Sequence, residues 1–157
     1  MPPLSLPLAD ESATAALAAR LAPLLRPGDA VALHGTLGAG KTSFARGLIR
    51  AMAGDAEAEV PSPTFTLVQT YDTLAGTVWH FDLYRLQLAE EVWELGWEEA
   101  RAEGIAVIEW PERLGGLLPA DRLDIALAFA AEGPRRAELT GHGGWAARLA
   151  ALGAPEP

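Results

Sequence analysis

Apolar residues recur along the chain with two different spacings, and segments of the two kinds alternate. Apolar positions three and four apart, which share one face of a helix, occupy 10–25, 42–52 and 145–152. Short apolar or β-branched runs, which suit strands, occupy 30–34, 105–108, 123–130 and 137–140. This alternation predicts an α/β fold of three layers, with a mainly parallel sheet and helices on both of its faces.

Two further segments predict an antiparallel hairpin in the same sheet. Residues 65–71 and 77–82 are rich in Thr, Val, Tyr and Phe, and the stretch 72–76 between them is short enough for a turn. The segment 86–103 is predicted to be helical, with a break at Gly96. Its six acidic residues indicate a solvated face or, alternatively, a docking surface for a basic partner.

The size and composition of the chain narrow the class of protein. A length of 157 residues with 50% hydrophobic composition predicts one domain over 1–157, with a loose tail after about residue 153. The formal net charge of −9 argues against a broad electrostatic grip on nucleic acid or on an anionic membrane. Cysteine is absent, which excludes disulfides and thiolate metal sites. Without a signal-like start or a membrane-length apolar run, the protein is expected to be cytoplasmic.

The octet Gly35-Thr36-Leu37-Gly38-Ala39-Gly40-Lys41-Thr42 has the complete spacing of a Walker A phosphate-binding loop. Its glycines let the backbone curl so that successive N–H groups face anionic oxygens. Lys41 is a compact cation for the outer phosphates, and Thr42 supplies a hydroxyl for Mg²⁺. Because the octet lies between a predicted strand and a predicted helix, as the motif requires, we predict a nucleotide site here.

The lysine content bears on which nucleotide is bound. Lys41 is the only lysine of the chain. The Asn/Thr-Lys-x-Asp segment with which standard GTPases read guanine therefore cannot occur, and ATP is the expected nucleotide. A small-molecule kinase is an alternative, but Arg113 and Arg122 are sparse for the arginine-rich lid that such kinases commonly carry. No small-molecule acceptor is therefore expected.

A Walker loop also needs an acid at a strand end, which orients Mg²⁺ or its water. Two predicted strands supply one: Asp82 ends the segment 77–82, and Glu109 follows 105–108. Asp82 could instead cap a following helix, and Glu109 could be a solvated strand end.

Two more residues near these acids are candidates for the site. Thr64, within Ser62-Pro63-Thr64, is either a nucleotide-sensing loop residue or part of a rigid proline turn. His80 shares a sheet face with Asp82, which leaves a structural and a functional role equally open.

Four segments occur in order between about Asp10 and Thr140: the Walker loop, Ser62-Pro63-Thr64-Phe65-Thr66-Leu67, His80-Phe81-Asp82-Leu83-Tyr84-Arg85-Leu86 and Ile108-Glu109-Trp110-Pro111-Glu112. Together they resemble the bacterial TsaE (YjeE) ATPases. The Walker loop alone is generic, and the other three segments in combination are quite specific to that family. The resemblance implies a P-loop ATPase, slow by itself, that supports threonylcarbamoyladenosine modification of tRNA by a TsaD–TsaB complex. It implies contact with tRNA only through that complex. A nucleotide-gated assembly switch with incidental hydrolysis remains the alternative.

The resemblance also implies roles for single residues. Lys41 and the loop amides from Gly35 to Thr42 hold the phosphates of ATP. Thr42 and Glu109 bind Mg²⁺. Asp82 is the Walker-B-like acid, which faces the metal and is needed for hydrolysis, and Thr64 lies in a switch-like segment that takes part in it.

Three positions are implied less directly. Thr14 matches an N-terminal position near the nucleotide. One of Arg135 and Arg136, taken as Arg136, matches a C-terminal arginine near ATP. The family often has an acid where this chain has Thr36, a departure that concerns local hydrogen bonding rather than the grip on phosphate.

Overall fold

The computed structural model describes residues 3–36, 40–128 and 135–152, and it confirms the α/β fold. Within these ranges seven strands form one sheet: β1 (Leu4–Leu8), β2 (Ala30–His34), β3 (Val68–Thr73), β4 (Gly76–Asp82), β5 (Ile105–Glu109), β6 (Arg122–Ala128) and β7 (Arg135–His142). The α-helices are α1 (Glu11–Leu21), α2 (Lys41–Ala53), α3 (Trp97–Glu103) and α4 (Trp145–Leu152). Short 3₁₀ helices cover Ala22–Leu24, Ala89–Leu95 and Pro111–Leu117.

The sheet is mixed, with strand order β1-β7-β6-β2-β5-β4-β3. Its centre is parallel, because β6, β2, β5 and β4 all run in one direction. The predicted hairpin of β3 and β4 forms one antiparallel edge, and β7 with β1 forms the other. The carboxyl ends of the parallel strands therefore meet at one edge, where ligands of open α/β sheets bind.

Strand β1 is not predicted from the sequence, since Pro7 lies among its alternating leucines. Leu4 and Leu6 pack against the core and Leu8 is buried, whereas Ser5 and Pro7 are exposed. Proline is tolerated here because β1 is an edge strand, paired with β7 alone.

The hairpin begins three residues later than predicted, at Val68 instead of Phe65. Residues 63–67 form a turn in which the Leu67 N–H donates to the Pro63 carbonyl over 2.8 Å. Leu67 has a φ of 68°, which interrupts extended backbone, and Phe65 is 81% exposed. The mixed Thr, Val and Phe content that predicts a strand here therefore belongs partly to a loop beside the site.

The predicted helix over 86–103 is also only partly correct. A 3₁₀ segment begins at Ala89, and the chain turns at Gly96, whose φ is 90°, before α3. The break at Gly96 is thus confirmed. The expected loose tail after about residue 153 lies outside the described residues, as do the last two positions of the predicted strand 123–130.

Helices cover both faces of the sheet, as expected. Helices α1, α2 and α4 pack on one face, and α3 with the last two 3₁₀ helices packs on the other. Strand β5 serves both cores, since Ile105 and Val107 belong to the first and Ala106 and Ile108 to the second. Across the described residues, no helix is long and apolar enough to span a membrane.

Candidate functional site

Three elements bring the predicted site residues together at the carboxyl edge of the sheet. Helix α2 begins at Lys41, β4 ends at Asp82 and β5 ends at Glu109. The strand register places Asp82 directly opposite Glu109. These three residues line a cleft of about 430 Å³ together with Thr36, Gly40, Thr42 and Thr64. Leu37, Gly38 and Ala39 of the Walker loop lie outside the described residues, so their predicted contacts stay predictions.

Lys41 is held inward at the start of α2, with only 5% of its surface exposed. Its Nζ donates to the Gly35 carbonyl and, over 3.3 Å, to that of Thr36. The same Nζ lies 3.5 Å from the centroid of the Trp110 ring, a cation–π contact. Burial lowers the pKa of Lys41, and the nearby acids oppose this shift. The only lysine of the chain is thus fixed at the Walker loop.

Glu109 is the centre of a hydrogen-bonded chain of side chains. Its Oε1 accepts from the Thr42 hydroxyl over 2.8 Å, and its Oε2 accepts from His80 Nε2 over 2.7 Å. Glu109 is 2% exposed and His80 is fully buried. A solvated strand end is therefore excluded for Glu109, and His80 proves to be its partner.

Asp82 is held more loosely than Glu109. Its Oδ1 accepts from the Tyr84 backbone N–H over 3.1 Å, and Thr64 Oγ1 donates to its Oδ2 over 3.5 Å. Burial raises the pKa of Asp82, and the charge of Glu109 adds to this shift while the Tyr84 N–H opposes it. Since Thr64 also shares a 2.7 Å hydrogen bond with Ser62, the loop and Asp82 are connected.

Of the two candidate arginines, Arg135 lines the cleft. A Cβ placed on Gly40 would lie 2.9 Å from Arg135 Nη1, so the guanidinium sits against the backbone of the Walker loop. Gly40 also has a φ of 100°, which a larger residue rarely adopts. Arg136 is exposed and donates to Ser5 Oγ over 2.8 Å. Thr14 lies in an adjoining cleft of about 170 Å³, which Arg135 also lines.

Trp110 is a site residue that the sequence analysis does not identify. Its ring covers Lys41 and lies 4.9 Å, between centroids, from that of Tyr84. The backbone of Trp110 is left-handed, with φ 60° and ψ 51°, which is uncommon for an aromatic residue. Strained backbone of this kind clusters at functional sites. No local pattern predicts it, since Glu109-Trp110-Pro111 gives no sign of a left-handed residue.

The oxygen atoms of the cleft suit a hard cation whose remaining ligands come from outside the protein. Among the described residues, no group of three or more carboxylate and imidazole side chains could enclose a metal. Thr42 and Glu109 nevertheless place a hydroxyl and a carboxylate together, and both are oxygen donors. Mg²⁺ is commonly bound by one or two such protein groups, with phosphate and water completing its coordination. The residues present therefore fit Mg²⁺ bound with a nucleotide.

The sequence family is decided by a match over most of the chain. The family model "Threonylcarbamoyl adenosine biosynthesis protein TsaE" matches residues 8–137. The chain belongs to the TsaE family. Proteins of this family take part in the biosynthesis of threonylcarbamoyladenosine in tRNA, and the segments that carry the resemblance all fall within the matched range.

Individual relatives agree with this membership. The TsaE protein of Rickettsia felis is 44% identical, over 82% of this chain and 74% of its own length. That of Rickettsia bellii is 40% identical over 85% of this chain and 92% of its own. That of Aquifex aeolicus is 42% identical over 68% and 75%. The crystal structure of Bacillus subtilis YdiB is 28% identical and superimposes with a TM-score of 0.74, covering 96% of this TsaE chain and 90% of YdiB.

Proposed function

We propose that this TsaE family member binds ATP with Mg²⁺ and hydrolyses it, slowly by itself, in support of tRNA threonylcarbamoyladenosine modification by a TsaD–TsaB complex. The observation that carries the proposal is the 2.8 Å hydrogen bond between Thr42 and Glu109. It joins the end of the Walker motif to a strand-end acid, and Lys41 and Asp82 line the same cleft. These are the parts that a P-loop ATPase requires.

The phosphates of ATP are assigned to the Walker loop. Lys41 carries a buried positive charge whose hydrogen bonds in this structure go to two loop carbonyls. Its donors can be redirected to phosphate oxygens, which are stronger acceptors for a cation than neutral carbonyls. The N-terminus of α2 adds its partial positive charge at the same place.

Mg²⁺ is assigned to Thr42 and Glu109. When bound, the ion neutralises charge on the phosphate oxygens and orients the group that is transferred. The Glu109 carboxylate is fixed by two hydrogen bonds, so it needs little reorganisation to serve this role. Asp82, its neighbour across the strands, faces the same space.

Hydrolysis is assigned to Asp82 with help from Thr64. The Asp82 carboxylate retains capacity to accept hydrogen bonds, because its contact with Thr64 is long, at 3.5 Å. It can therefore hold water near the terminal phosphate, in the role of a Walker-B-like acid. Thr64 connects that acid to the loop 62–67.

The adenosine side is assigned to the adjoining cleft, where Thr14 and Arg135 lie. We place the arginine role on Arg135 because it touches both clefts, whereas Arg136 is bound to Ser5. Arg135→Ala is expected to weaken ATP binding by about 10- to 100-fold, the effect of losing a charged hydrogen-bond donor. Arg136→Ala, its matched control, should leave the affinity measured by calorimetry within about twofold of wild type.

The partner assignment rests on membership of the TsaE family, whose resemblance implies TsaD and TsaB as the contacts and tRNA only through them. The net charge of −9 is consistent with this, because it disfavours direct binding of tRNA. A cytoplasmic location, no membrane partner and no small-molecule acceptor complete the proposal.

A second candidate is a nucleotide-gated assembly switch whose hydrolysis is incidental. It is favoured by one observation: the loop that reaches Asp82 through Thr64 also exposes Phe65, at 81%. A large exposed apolar residue beside a nucleotide site is suited to docking that depends on the nucleotide. In that case an Asp82→Ala protein that binds ATP without hydrolysing it would still support modification.

Reconstitution tests both candidates. TsaD, TsaB, threonylcarbamoyl adenylate and tRNA are combined with wild type, Lys41→Ala, Asp82→Ala or Glu109→Ala, and multiple-turnover modification is measured. The proposed function predicts that all three variants lose turnover. Full turnover with Lys41→Ala would contradict any dependence on ATP, and full turnover with Asp82→Ala alone would favour the switch.

A further inference from the structure

We propose that His80 is a positioning residue that fixes the orientation of the Glu109 carboxylate for Mg²⁺-dependent nucleotide binding. The inference rests on the proposed function, since it concerns the same carboxylate. His80 itself touches neither nucleotide nor metal in this proposal. Its effect passes through Glu109.

The geometry around Glu109 restrains the carboxylate at both ends. Thr42 Oγ1 lies 2.8 Å from Oε1, and His80 Nε2 lies 2.7 Å from Oε2. A carboxylate held by one hydrogen bond can still rotate about its terminal torsion, which is broad and soft. Two donors on different oxygens define its plane. The hydrogen bond from His80 to Oε2 therefore also fixes the position of the other carboxylate oxygen, which faces the cleft.

Strand register explains why His80 can reach this carboxylate. His80 pairs with Val107 and Asp82 pairs with Glu109, on neighbouring parallel strands β4 and β5. His80 and Asp82 are two residues apart and share the sheet face that α2 covers. The imidazole thus lies two residues further from the carboxyl edge of the sheet than the two acids, and it approaches Glu109 from the core side.

The surroundings of His80 support a directed role rather than general packing. The side chain is 0% exposed, and its Nδ1 finds no hydrogen-bonding partner among the described residues. Most buried polar side-chain atoms have at least one partner, and for the His80 ring that partner is Glu109. Because a carboxylate oxygen accepts, the proton is assigned to Nε2. The polar contact that this ring makes is the one to Glu109.

Loss of that contact has a specific consequence. Glu109 Oε2 would become a buried carboxylate oxygen without its donor, and the group would be free to turn away from Thr42. Residues that orient a metal-binding side chain in this way typically change metal affinity by about 10- to 100-fold when removed. We expect the effect to fall on the part of nucleotide affinity that depends on Mg²⁺. Binding through Lys41 and the loop amides should be retained.

The test compares His80→Leu, which removes the donor, with His80→Gln, whose terminal amide can donate from a similar position. Calorimetry gives the dissociation constant of ADP for each protein at saturating Mg²⁺ and in EDTA, and a Mg²⁺ titration gives the half-saturating concentration. We expect His80→Leu to need about 10- to 100-fold more Mg²⁺ with its affinity in EDTA unchanged. His80→Gln is expected to restore most of the Mg²⁺ response.

The possible outcomes distinguish a failure of the proposed Mg²⁺ site from a failure of the role proposed for His80. If Mg²⁺ does not strengthen nucleotide binding to wild type, the proposed function fails at its metal site. If wild type responds to Mg²⁺ and His80→Leu responds equally, or loses affinity equally with and without Mg²⁺, His80 is structural and this inference is wrong. If His80→Leu does not fold, His80→Asn replaces it, because the shorter Asn side chain holds its amide donor further from Glu109. We expect the same loss of the Mg²⁺ response relative to His80→Gln.

Discussion

The two acids at the ends of β4 and β5 are neighbours, yet they are held in different ways. Glu109 is 2% exposed, and both of its oxygens accept short side-chain hydrogen bonds. Asp82 lies opposite it in the register and is 6% exposed, but its side-chain partner Thr64 is 3.5 Å away. Equal depth in the sheet therefore does not imply equal restraint.

The difference indicates that Glu109 and Asp82 are suited to different roles in the cleft. A carboxylate that donors already orient on both oxygens keeps further lone pairs, so it is suited to holding a metal in place. A carboxylate with spare acceptor capacity, whose pKa burial raises, is suited to a changing partner such as water. The loop 62–67 contacts Asp82 twice: Thr64 donates to its carboxylate, and the Leu67 carbonyl accepts from its backbone N–H over 2.9 Å. A movement of that loop would therefore displace the acid that is proposed to act in hydrolysis.

Glu109→Ala should produce the largest effect, because it removes the acceptor of both Thr42 and His80. ATP hydrolysis is expected to fall by about 10³-fold, and the Mg²⁺ dependence of nucleotide binding should disappear. Steady-state phosphate release and calorimetry with and without Mg²⁺ measure the two effects. Glu109→Gln is the matched control for folding: its amide oxygen can accept from Thr42, and its NH₂ can donate to His80 Nε2 once the imidazole proton moves to Nδ1. An unchanged Mg²⁺ response in Glu109→Ala would remove its assignment as a ligand.

Asp82→Asn should affect hydrolysis and spare binding. The substitution keeps the shape of the side chain and an acceptor for the Tyr84 N–H, but it removes the charge that holds water. Hydrolysis is expected to fall by about 10²-fold, while the dissociation constant for ATP with Mg²⁺ stays within about threefold of wild type. If Asp82→Asn loses nucleotide affinity as strongly as Glu109→Ala does, the proposed division between the two acids is wrong.

Thr64→Val tests the connection between the loop and Asp82 with a smaller expected effect. The substitution keeps the volume and removes the hydrogen bonds of the hydroxyl to Asp82 and to Ser62. Because only the long one reaches the acid, hydrolysis should fall by about fivefold, which corresponds to about 1 kcal/mol. Thr66→Val is the matched control in the same loop, because the Thr66 hydroxyl accepts from Gln69 and does not donate to Asp82. Equal rates of hydrolysis for the two variants would show that the hydrogen bond from Thr64 to Asp82 does not contribute to hydrolysis.

Much of the site is predictable because it is local in sequence. The Walker motif fixes Lys41 and Thr42 at a helix start, and Asp82 and Glu109 each end an apolar run, so parallel strands must bring them to one edge. The sequence pattern leaves Thr64 either in the site or in a rigid proline turn, and the family resemblance favours the site. These residues line a common cleft.

The features of the site that the sequence does not predict depend on strand register and on strained backbone. His80 and Glu109 are 29 residues apart, and their contact exists only because β4 and β5 pair in one particular register. Adjacent residues of a strand face opposite sides, so a one-residue difference decides whether Arg135 or Arg136 meets the cleft. The left-handed backbone of Trp110 has no local signal at all.

A third acid, Asp124, tests whether an acid that several donors hold outside the cleft contributes to stability alone. It accepts hydrogen bonds from His34, Arg122 and His142 over 3.0, 2.9 and 2.8 Å, outside the nucleotide cleft. Burial alone would raise the pKa of Asp124, but the hydrogen bonds and charges of His34 and Arg122 hold it well below its usual range. Like Glu109, it accepts hydrogen bonds on both carboxylate oxygens, although no role in binding is proposed for it.

Asp124→Asn should therefore cost stability while changing hydrolysis by less than about threefold, because β2 leads into the Walker loop but the cleft residues are untouched. A lowered folded-state pKa contributes stability above the ordinary carboxyl pKa of about 3.9, and this contribution is lost as the pH falls. Urea unfolding should show a deficit of about 1–3 kcal/mol at pH 7 that shrinks at pH 3. Glu138→Gln, at an exposed position on β7, is the control. A deficit of the same size at both pH values would mean that the charge of Asp124 is not what stabilises the three strands.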